Sequence, residues 1–274
     1  MRYPIAMAVV REAVQRRIFV WVALLAGAFL GLYALGMTLL VDELGGIAGE
    51  EARVTTGILS VLALYVSSFI GSLLAITLGA GSVAPELDSG LAAAVLARPV
   101  SRARWVLERW AALAVLVAVF AAVMTLSVIA IATATAEYAA LSMPRAVGLM
   151  AFQVVAVLTL AMALSARFSV VAAGVAAFSL FGVAWLAGLI ETFGSAVGNG
   201  AMVNIGIAVS LGITSDALWR AASYYASTPD LVALSEGLPF ASAEPPTAAF
   251  LGWAAALTGL LLFLAVRTVR RRDL

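Results

Sequence analysis

Few residue types in this chain could carry out covalent or metal chemistry. The sequence contains no Cys, no His and no Lys, and all 16 basic residues are arginines. Without Cys and His, the usual zinc and copper ligand sets cannot be built, and no Ser-His or Cys-His nucleophilic pair can form. Without Lys there is no Walker A lysine, so the chain cannot be a P-loop ATPase by itself. We therefore expect no catalytic residue, no metal ligand and no cofactor-binding residue in this chain.

The charged residues between 82 and 109 form the segment best suited to contact a partner, SVAPELDSGLAAAVLARPVSRARWVLER. Glu86 and Asp88 favour a helix start, because carboxylates are stabilised at the positive end of the helix dipole. Pro99 ends this short helix and Ser101 caps the next one. Such a helix could dock on a partner and transmit force. A plain connecting loop that needs arginines only for membrane topology is the alternative, and spacing alone leaves both interpretations open.

The elements that must position this segment are strongly apolar. Of the 274 residues, 64% are hydrophobic and 11% are charged, whereas a soluble domain would have roughly 25% charged residues. Charge-free apolar runs lie at 18–40, 57–81, 110–136, 146–166, 168–190 and 248–266. Each is close to the ~20 residues that a helix needs to cross the hydrocarbon core. We therefore expect an all-α integral membrane protein with six transmembrane helices in a single domain, residues 1–274.

The placement of the arginines predicts the orientation of these helices. With six crossings, both chain ends and the charged loop described above lie on one side of the membrane. Only Arg53, Arg145 and Arg220 of the 16 basic residues lie on the other side. Because basic residues accumulate in cytoplasmic loops, we expect both termini in the cytoplasm. Trp105 and Trp219 are interpreted as aromatic anchors at the membrane interfaces.

The N-terminal segment has the pattern of an amphipathic helix. Within residues 4–17, Arg11, Glu12 and Arg16 share one side of a helical wheel, and Val9 lies on the other. This pattern predicts an interfacial helix over residues 1–17 before the chain enters the membrane. A cytoplasmic extension of the first span is the alternative. Either arrangement presents a polar face to a cytoplasmic partner.

Residues 191–247 are predicted to form a structured outer segment before the last span. The uncharged stretch 197–213 holds four Gly and two Asn, and a full crossing there would place the basic C-terminal tail outside. We therefore expect a re-entrant or interfacial element, which membrane depth tolerates only when it packs on protein. Two short helices are expected to follow, one at 215–226 capped by Ser215 and one from Thr228 to Gly237.

The middle of the six predicted spans holds no charged residue, and Gln153 is the strongest polar group there. A charge at a helix centre costs about 2.5–3.5 kcal/mol, so proteins keep one mainly for function. The pattern argues against a secondary transporter, against a proton relay and against an intramembrane enzyme. Carbonyl and hydroxyl groups at broken helices could bind an ion instead. We expect the energy source to lie outside this chain.

The charged loop resembles a known signature, E-x-E-x-G-T, L-x-x-P-V-S-R, L-x-G-K. The matching positions are Glu86, Asp88, Ser89, Gly90, Leu96, Arg98, Pro99, Val100, Ser101, Arg102, Leu107, Glu108 and Arg109. Leu91 stands where Thr is usual, and Glu108-Arg109 stand where Gly-Lys is usual. This signature belongs to the bacterial ABC-2-type permease family, the membrane subunits of ATP-binding-cassette exporters. The chain also resembles that family in its basic N-terminal helix, its six spans and its long outer segment.

The resemblance implies a type-V-exporter-like fold in a bacterial inner membrane. Two permeases, identical or related, would sit on two cytoplasmic ATPase subunits that bind ATP and Mg²⁺. Residues 82–109 would hold the coupling helix, 1–17 the connecting helix beside it, and 191–247 the re-entrant helices that gate release. The partner-coupling residues implied are Glu86, Asp88, Gly90, Arg98, Pro99 and Arg102 of the loop, and Arg11, Glu12 and Arg16 of the N-terminal helix.

The expected function is that of a permease subunit that exports a small amphipathic molecule, a lipid or a peptide. The ATP would be hydrolysed by the separate partner, and membrane lipids would surround the spans. Two alternatives stay open. One is a non-transporting subunit that couples an ATPase to mechanical work on envelope proteins, and the other is a secondary transporter.

Overall fold

A computed structural model describes residues 9, 11, 17–44, 50–88, 101–136, 138–234 and 244–271 of the chain. Every regular element within these ranges is a helix. In chain order the helices are α1 (Arg17–Leu44), α2 (Glu50–Ala80), α3 (Ala84–Asp88), α4 (Arg102–Ala136), α5 (Met143–Ser165), α6 (Val170–Ala196), α7 (Gly200–Gly212), α8 (Ser215–Ala226), α9 (Pro229–Leu234) and α10 (Ala248–Arg271).

Six of these helices are long and apolar enough to cross a membrane: α1, α2, α4, α5, α6 and α10. The prediction of an all-helical protein with six such helices is confirmed. Several of the helices extend beyond the apolar run that predicted them, because charged turns continue the helix. For example, α2 begins at Glu50, and α6 continues to Ala196 and so includes the first residues of the predicted outer segment.

Helix α5 lies at the centre of the bundle and packs against α2, α4, α6, α8 and α10. Its buried face includes Val154, Leu158 and Met162. Close approach to α2 depends on glycine, since a Cβ at Gly79 would lie 2.7 Å from the Cβ of Ala161. Small residues of this kind let two helix backbones pack closely within a membrane. Helices α2 and α5 therefore form the rigid middle of the fold.

Three of the long helices are covered little by the rest of the chain. In α1, α6 and α10, only 17%, 22% and 17% of the most apolar window is buried. Large apolar side chains point outwards from them, including Trp21, Leu32 and Val171, which are 69%, 70% and 75% exposed. Such faces suit lipid or a second membrane chain.

Helices α6, α7 and α8 form a folded-back arrangement at one end of the bundle. Helix α7 packs along α6, and a Cβ at Gly194 would lie 2.7 Å from the Cβ of Met202. The turn between the two helices uses Gly198, which has φ 69°, and Asn199, whose side chain caps α7. Helix α8 then leaves α7 at an angle of 100°. At 13 residues, α7 is about 20 Å long, too short by itself to cross a ~30 Å hydrocarbon core. The bent pair of α7 and α8 has the geometry of a broken span or of a re-entrant loop, so the re-entrant element stays a prediction.

The two short helices after α7 were predicted in outline. Helix α8 has the predicted bounds, but its N-cap is Thr214, so the prediction that Ser215 caps it was wrong. Thr228 does cap α9, because its Oγ1 accepts a hydrogen bond of 3.3 Å from the N–H of Leu231. The predicted end at Gly237 lies outside the described residues.

Tyr138 fixes the end of α8 to the connection between α4 and α5. Its hydroxyl donates a 2.5 Å hydrogen bond to the carbonyl of Ala226. Burial raises the pKa of Tyr138 further above neutral pH, so the phenol is a hydrogen-bond donor. The end of α8 is therefore held to the bundle by a side-chain hydrogen bond as well as by packing.

Candidate functional site

The end of α2 and the start of α3 are joined to α5 by one hydroxyl group. Ser165, the last residue of α5, donates a 2.6 Å hydrogen bond to the carbonyl of Ala80. The same oxygen accepts bonds from the N–H groups of Val83 and Ala84, at 3.3 and 3.1 Å. Because Ser165 satisfies backbone groups at both helix ends, the first turn of the 82–109 segment is fixed to the core.

An ion pair connects α3 to the start of α4. The guanidinium of Arg109 donates from Nη1 to the Oε1 of Glu86. The Arg109 side chain is 5% exposed and that of Glu86 is 21% exposed. The guanidinium also lies 5.5 Å from the ring centroid of Trp105, a distance that gives a cation–π contact. The 82–109 segment is therefore fixed near its start by Ser165 and at its end by the pairing of Arg109 with Glu86.

The start of α4 is fixed by its cap and by the end of α10. Ser101 Oγ accepts a 3.3 Å hydrogen bond from the N–H of Arg104, which confirms the predicted cap. Arg102 donates from Nη1 to the carbonyl of Arg270 at 3.3 Å. These contacts bring together the ends of α2, α5 and α10 with the start of α4. We call this region the arginine-rich end, and its arginines include Arg102, Arg104, Arg109, Arg167, Arg267, Arg270 and Arg271.

The residues predicted to couple to a partner divide into three groups. Glu86 and Arg102 lie at the arginine-rich end with the internal contacts given above. Arg11 is helical and exposed, and Asp88 is the last residue of α3, with only its backbone described. The other predicted residues lie outside the described part of the chain: Gly90, Arg98, Pro99, Glu12 and Arg16.

Val9 supports the amphipathic reading of the N-terminal segment. It is helical and 6% exposed, and it belongs to a buried cluster that contains Leu74, Leu78 and Ala161. Arg11 is exposed, so the two described residues have the burial that the helical wheel predicts. Val9 therefore packs on the bundle, in the same cluster as Leu78 near the end of α2.

A second group of charged residues is buried at the opposite end, between α6 and α8. Arg220 donates from Nη2 to the Oε2 of Glu191 at 2.7 Å. Its Nε lies 3.2 Å from the Oδ2 of Asp216. The Glu191, Arg220 and Asp216 side chains are 20%, 21% and 9% exposed. We call these three residues the buried charge cluster.

Glycine makes this cluster possible. A Cβ at Gly188 of α6 would lie 2.6 Å from the Cγ of Asp216. No side chain could stand there while the carboxylate keeps its position. A Cβ at Gly206 of α7 would likewise overlap the side chain of Glu191 and lie 2.9 Å from the carbonyl of Ala187. The glycines therefore allow both carboxylates to lie against helix backbone.

A small cavity lies beside Asp216, among α2, α5, α6 and α8. It is lined by Tyr65, Ser68, Phe69, Gln153, Phe181, Trp185, Ser215, Asp216 and Trp219. The volume open to the centre of a water molecule is about 10 Å³, roughly what one water needs. Gln153, the polar group singled out from the sequence, accepts a 2.8 Å hydrogen bond from Ser68 here. The cavity combines one carboxylate, neutral oxygen atoms and aromatic rings.

Sequence reasoning missed both the cluster and the packing of two tryptophans. The cluster arises because α8 brings Asp216 against Gly188 of α6, a contact that the sequence pattern does not predict. The spacing of Asp216 and Arg220, four residues apart on a helix, was a signal that could have been used. Trp105 and Trp219 are 2% and 3% exposed. They are core residues, so their interpretation as interfacial anchors was wrong.

The described residues form an all-helical protein in which six helices are long and apolar enough to cross a membrane. The chain belongs to a family described as "Protein of unknown function (DUF2705)", whose model matches residues 23–202. The matched region runs from α1 into α7 and includes the whole 82–109 segment. It ends before α8, which carries Asp216 and Arg220. No curated protein matches the chain.

Proposed function

We propose that this chain is the permease subunit of an ATP-driven exporter and that it works with a separate ATP-binding-cassette ATPase. The observation that carries the proposal is the way the 82–109 segment is held. One end is fixed by Ser165 and the other by the pairing of Glu86 with Arg109. Because both ends of the segment are fixed, a displacement of the segment by the ATPase would be transmitted directly to α2 and α4. The resemblance to the ABC-2-type signature supports the same role.

The proposal includes the arrangement of the whole complex. Two permeases, identical or related, sit on two ATPase subunits in a bacterial inner membrane, with both termini in the cytoplasm. The arginine-rich end faces the ATPases, which supply ATP and Mg²⁺. The weakly covered faces of α1, α6 and α10 suit contact with the second permease and with lipids. Helices α7 and α8 gate release on the opposite side, as in a type-V exporter.

The substrate class is a small amphipathic molecule, a lipid or a peptide. The polar groups near the middle of the bundle are few, and Gln153 and Ser68 already bond to each other. Such a surface suits a substrate that has apolar parts and little fixed charge. A subunit that transmits ATPase work to an envelope protein would use the same coupling segment, and transport of a substrate into vesicles separates the two roles.

The experiment that tests the proposal is co-purification. The chain is co-expressed with candidate ATP-binding-cassette ATPases from the same genome, and complex formation and ATP turnover are measured in detergent. The test variant is Arg98→Glu, which reverses a charge in the proposed coupling segment. The matched control is Arg53→Glu, which makes the same charge change at the opposite end. Arg53 is 64% exposed and forms an ion pair of 3.2 Å with the exposed Asp230, a kind of contact that contributes little stability.

We expect the unmodified chain and Arg53→Glu to bind the ATPase, and Arg98→Glu to bind it weakly or not at all. Failure of the unmodified chain to bind any such ATPase would overturn the proposal. Equal loss of binding by both variants would show that general charge, rather than the coupling segment, determines the interaction.

Secondary transport is the second candidate function, and the buried charge cluster favours it. Ion-coupled transporters keep ionisable groups close to their spans, and Asp216 lies against α6 at Gly188. Substrate accumulation in proteoliposomes that contain this chain alone, driven by a proton gradient, would support this candidate over an ATP-driven exporter.

A further inference from the structure

The buried charge cluster contains more negative than positive charge. Glu191 and Asp216 contribute two carboxylates, and Arg220 contributes one guanidinium. Within the described part of the chain, Arg220 is the basic residue that pairs with both of these acids. When both acids are ionised, the cluster therefore has one net negative charge. A buried charge without compensation is costly, and proteins neutralise it by protonation or by binding an ion.

The unbalanced carboxylate faces the cavity. Among the described residues, the Oδ2 of Asp216 has no hydrogen-bond donor in good geometry, although it forms an ion pair with Arg220 Nε at 3.2 Å. The hydroxyl of Ser215, which also lines the cavity, is likewise buried with no hydrogen-bond partner among those residues. Two oxygen atoms with unused acceptor capacity therefore lie beside a space of about one water molecule.

The other lining groups suit a positive charge. Hydroxyl and amide oxygens come from Tyr65, Ser68 and Gln153, and aromatic rings complete the wall. Oxygen atoms are the preferred ligands of hard cations, and aromatic faces attract cations through their quadrupole. The ionisable groups that face Asp216 are Tyr65 from α2, Glu191 from α6 and Arg220 from α8, whereas α5 contributes the neutral Gln153.

We propose that this cavity is a binding site for one positive charge, with Asp216 as its principal ligand. The positive charge is either a proton on the carboxyl group or a small alkali ion held by the surrounding oxygens. Both occupants neutralise the cluster by one unit and both fit the space. The site does not depend on an ATPase, so this inference stands apart from the proposed function.

The test uses the full-length protein in lipid nanodiscs. Intrinsic tryptophan fluorescence reports on the site, because Trp185 and Trp219 line the cavity. It is followed from about pH 5 to pH 9, the range in which a buried carboxyl can titrate, first with a bulky organic cation as the only salt cation. The titration is repeated with NaCl and with KCl. Circular dichroism confirms that each variant is folded.

We expect the unmodified protein to titrate within this range. If an alkali ion competes with the proton, NaCl or KCl lowers the midpoint, and an unchanged midpoint in all three salts identifies the proton as the occupant. Asp216→Asn should abolish the titration. Glu191→Gln is the second variant, because it keeps the Arg220 contact and removes the excess charge. It should lower the midpoint by one pH unit or more, a typical effect of a charge within a few ångströms.

Two outcomes would overturn the site. One is an unmodified protein whose fluorescence responds neither to pH nor to alkali ions. The other is a titration that persists unchanged in Asp216→Asn or in Glu191→Gln. If tryptophans outside the cavity dominate the fluorescence, infrared difference spectra recorded under the same conditions follow the protonation of the carboxyl groups directly. The same two outcomes in these spectra would overturn the site.

Discussion

Separating Glu86 from Arg109 should destabilise the protein by far more than separating an exposed ion pair. The Arg109 side chain is 5% exposed, so its charge is held in the protein whether or not Glu86 is present. Removing one partner of a fully buried pair costs about 3–5 kcal/mol. Glu86 is 21% exposed and water screens part of the interaction, so we expect a coupling energy of about 2 kcal/mol.

The coupling is measured with a double-mutant cycle. Glu86→Ala, Arg109→Ala and the double variant are compared with the unmodified protein by reversible unfolding in mixed micelles. The cycle removes the contributions that each side chain makes on its own, including the contact of Arg109 with Trp105. A second cycle on Arg53 and Asp230, which are 64% and 44% exposed, is the control and should give about 0.2–1 kcal/mol.

The result has a direct bearing on the coupling segment. If the Glu86–Arg109 coupling is no larger than that of the exposed control pair, then the pair does not hold α3 to α4. The argument that this segment passes on displacement would then lose its main support. A large coupling together with normal ATPase binding by Arg53→Glu would agree with the proposed division between the two ends of the bundle.

Two further predictions concern the cluster and the orientation. Gly188→Ala should destabilise the protein by about 1–3 kcal/mol, since the added methyl group displaces Asp216. Gly182→Ala on the same helix is the control and should stabilise the protein by up to about 1 kcal/mol, because a Cβ there meets nothing within 4 Å. Thermal unfolding of the two variants measures both effects. Because the chain has no Cys, Ser169→Cys and Ala139→Cys give single labelling sites at opposite ends of the bundle. An impermeant thiol reagent added to intact spheroplasts should label position 139 and not 169, and the reverse pattern would contradict the predicted cytoplasmic location of the arginine-rich end.

The long helices could be predicted from the sequence because each of them is marked by its own charge-free apolar run. A charge-free run of about 20 residues has few alternatives to a membrane helix. The cap at Ser101 is equally local, since a side-chain hydroxyl bonds to a backbone N–H three residues later. Ser215 shows the limit of such reasoning. Both Thr214 and Ser215 suit the position by type, and the bend after α7 decides which of them precedes the helix.

The two sites could not be derived in the same way, because they depend on contacts between distant segments. Glu86 and Arg109 were both parts of the resemblance, but nothing in their spacing predicts that they pair. The buried charge cluster needs α8 to fold back on α6, and that path depends on glycines at 188 and 206. In a hydropathy profile these glycines are neutral members of an apolar run. Their missing side chains nevertheless create the space that the carboxylates fill.

The arginine-rich end and the cavity are separate, but they share the same pair of helices. Helix α5 carries Ser165 at the arginine-rich end and Gln153 at the cavity, about 18 Å apart along the helix at 1.5 Å per residue. Helix α2 leads directly to α3 and also supplies Ser68 to the cavity. The close packing at Gly79 and Ala161 prevents these helices from moving independently without loss of contact. A displacement of α3 would therefore reach the wall of the cavity as a movement of α2 and α5 together. Helix α8 packs more extensively on α5 than on α6. The contacts that such a movement would strain are therefore those of Asp216 and Arg220 with Gly188 and Glu191 of α6.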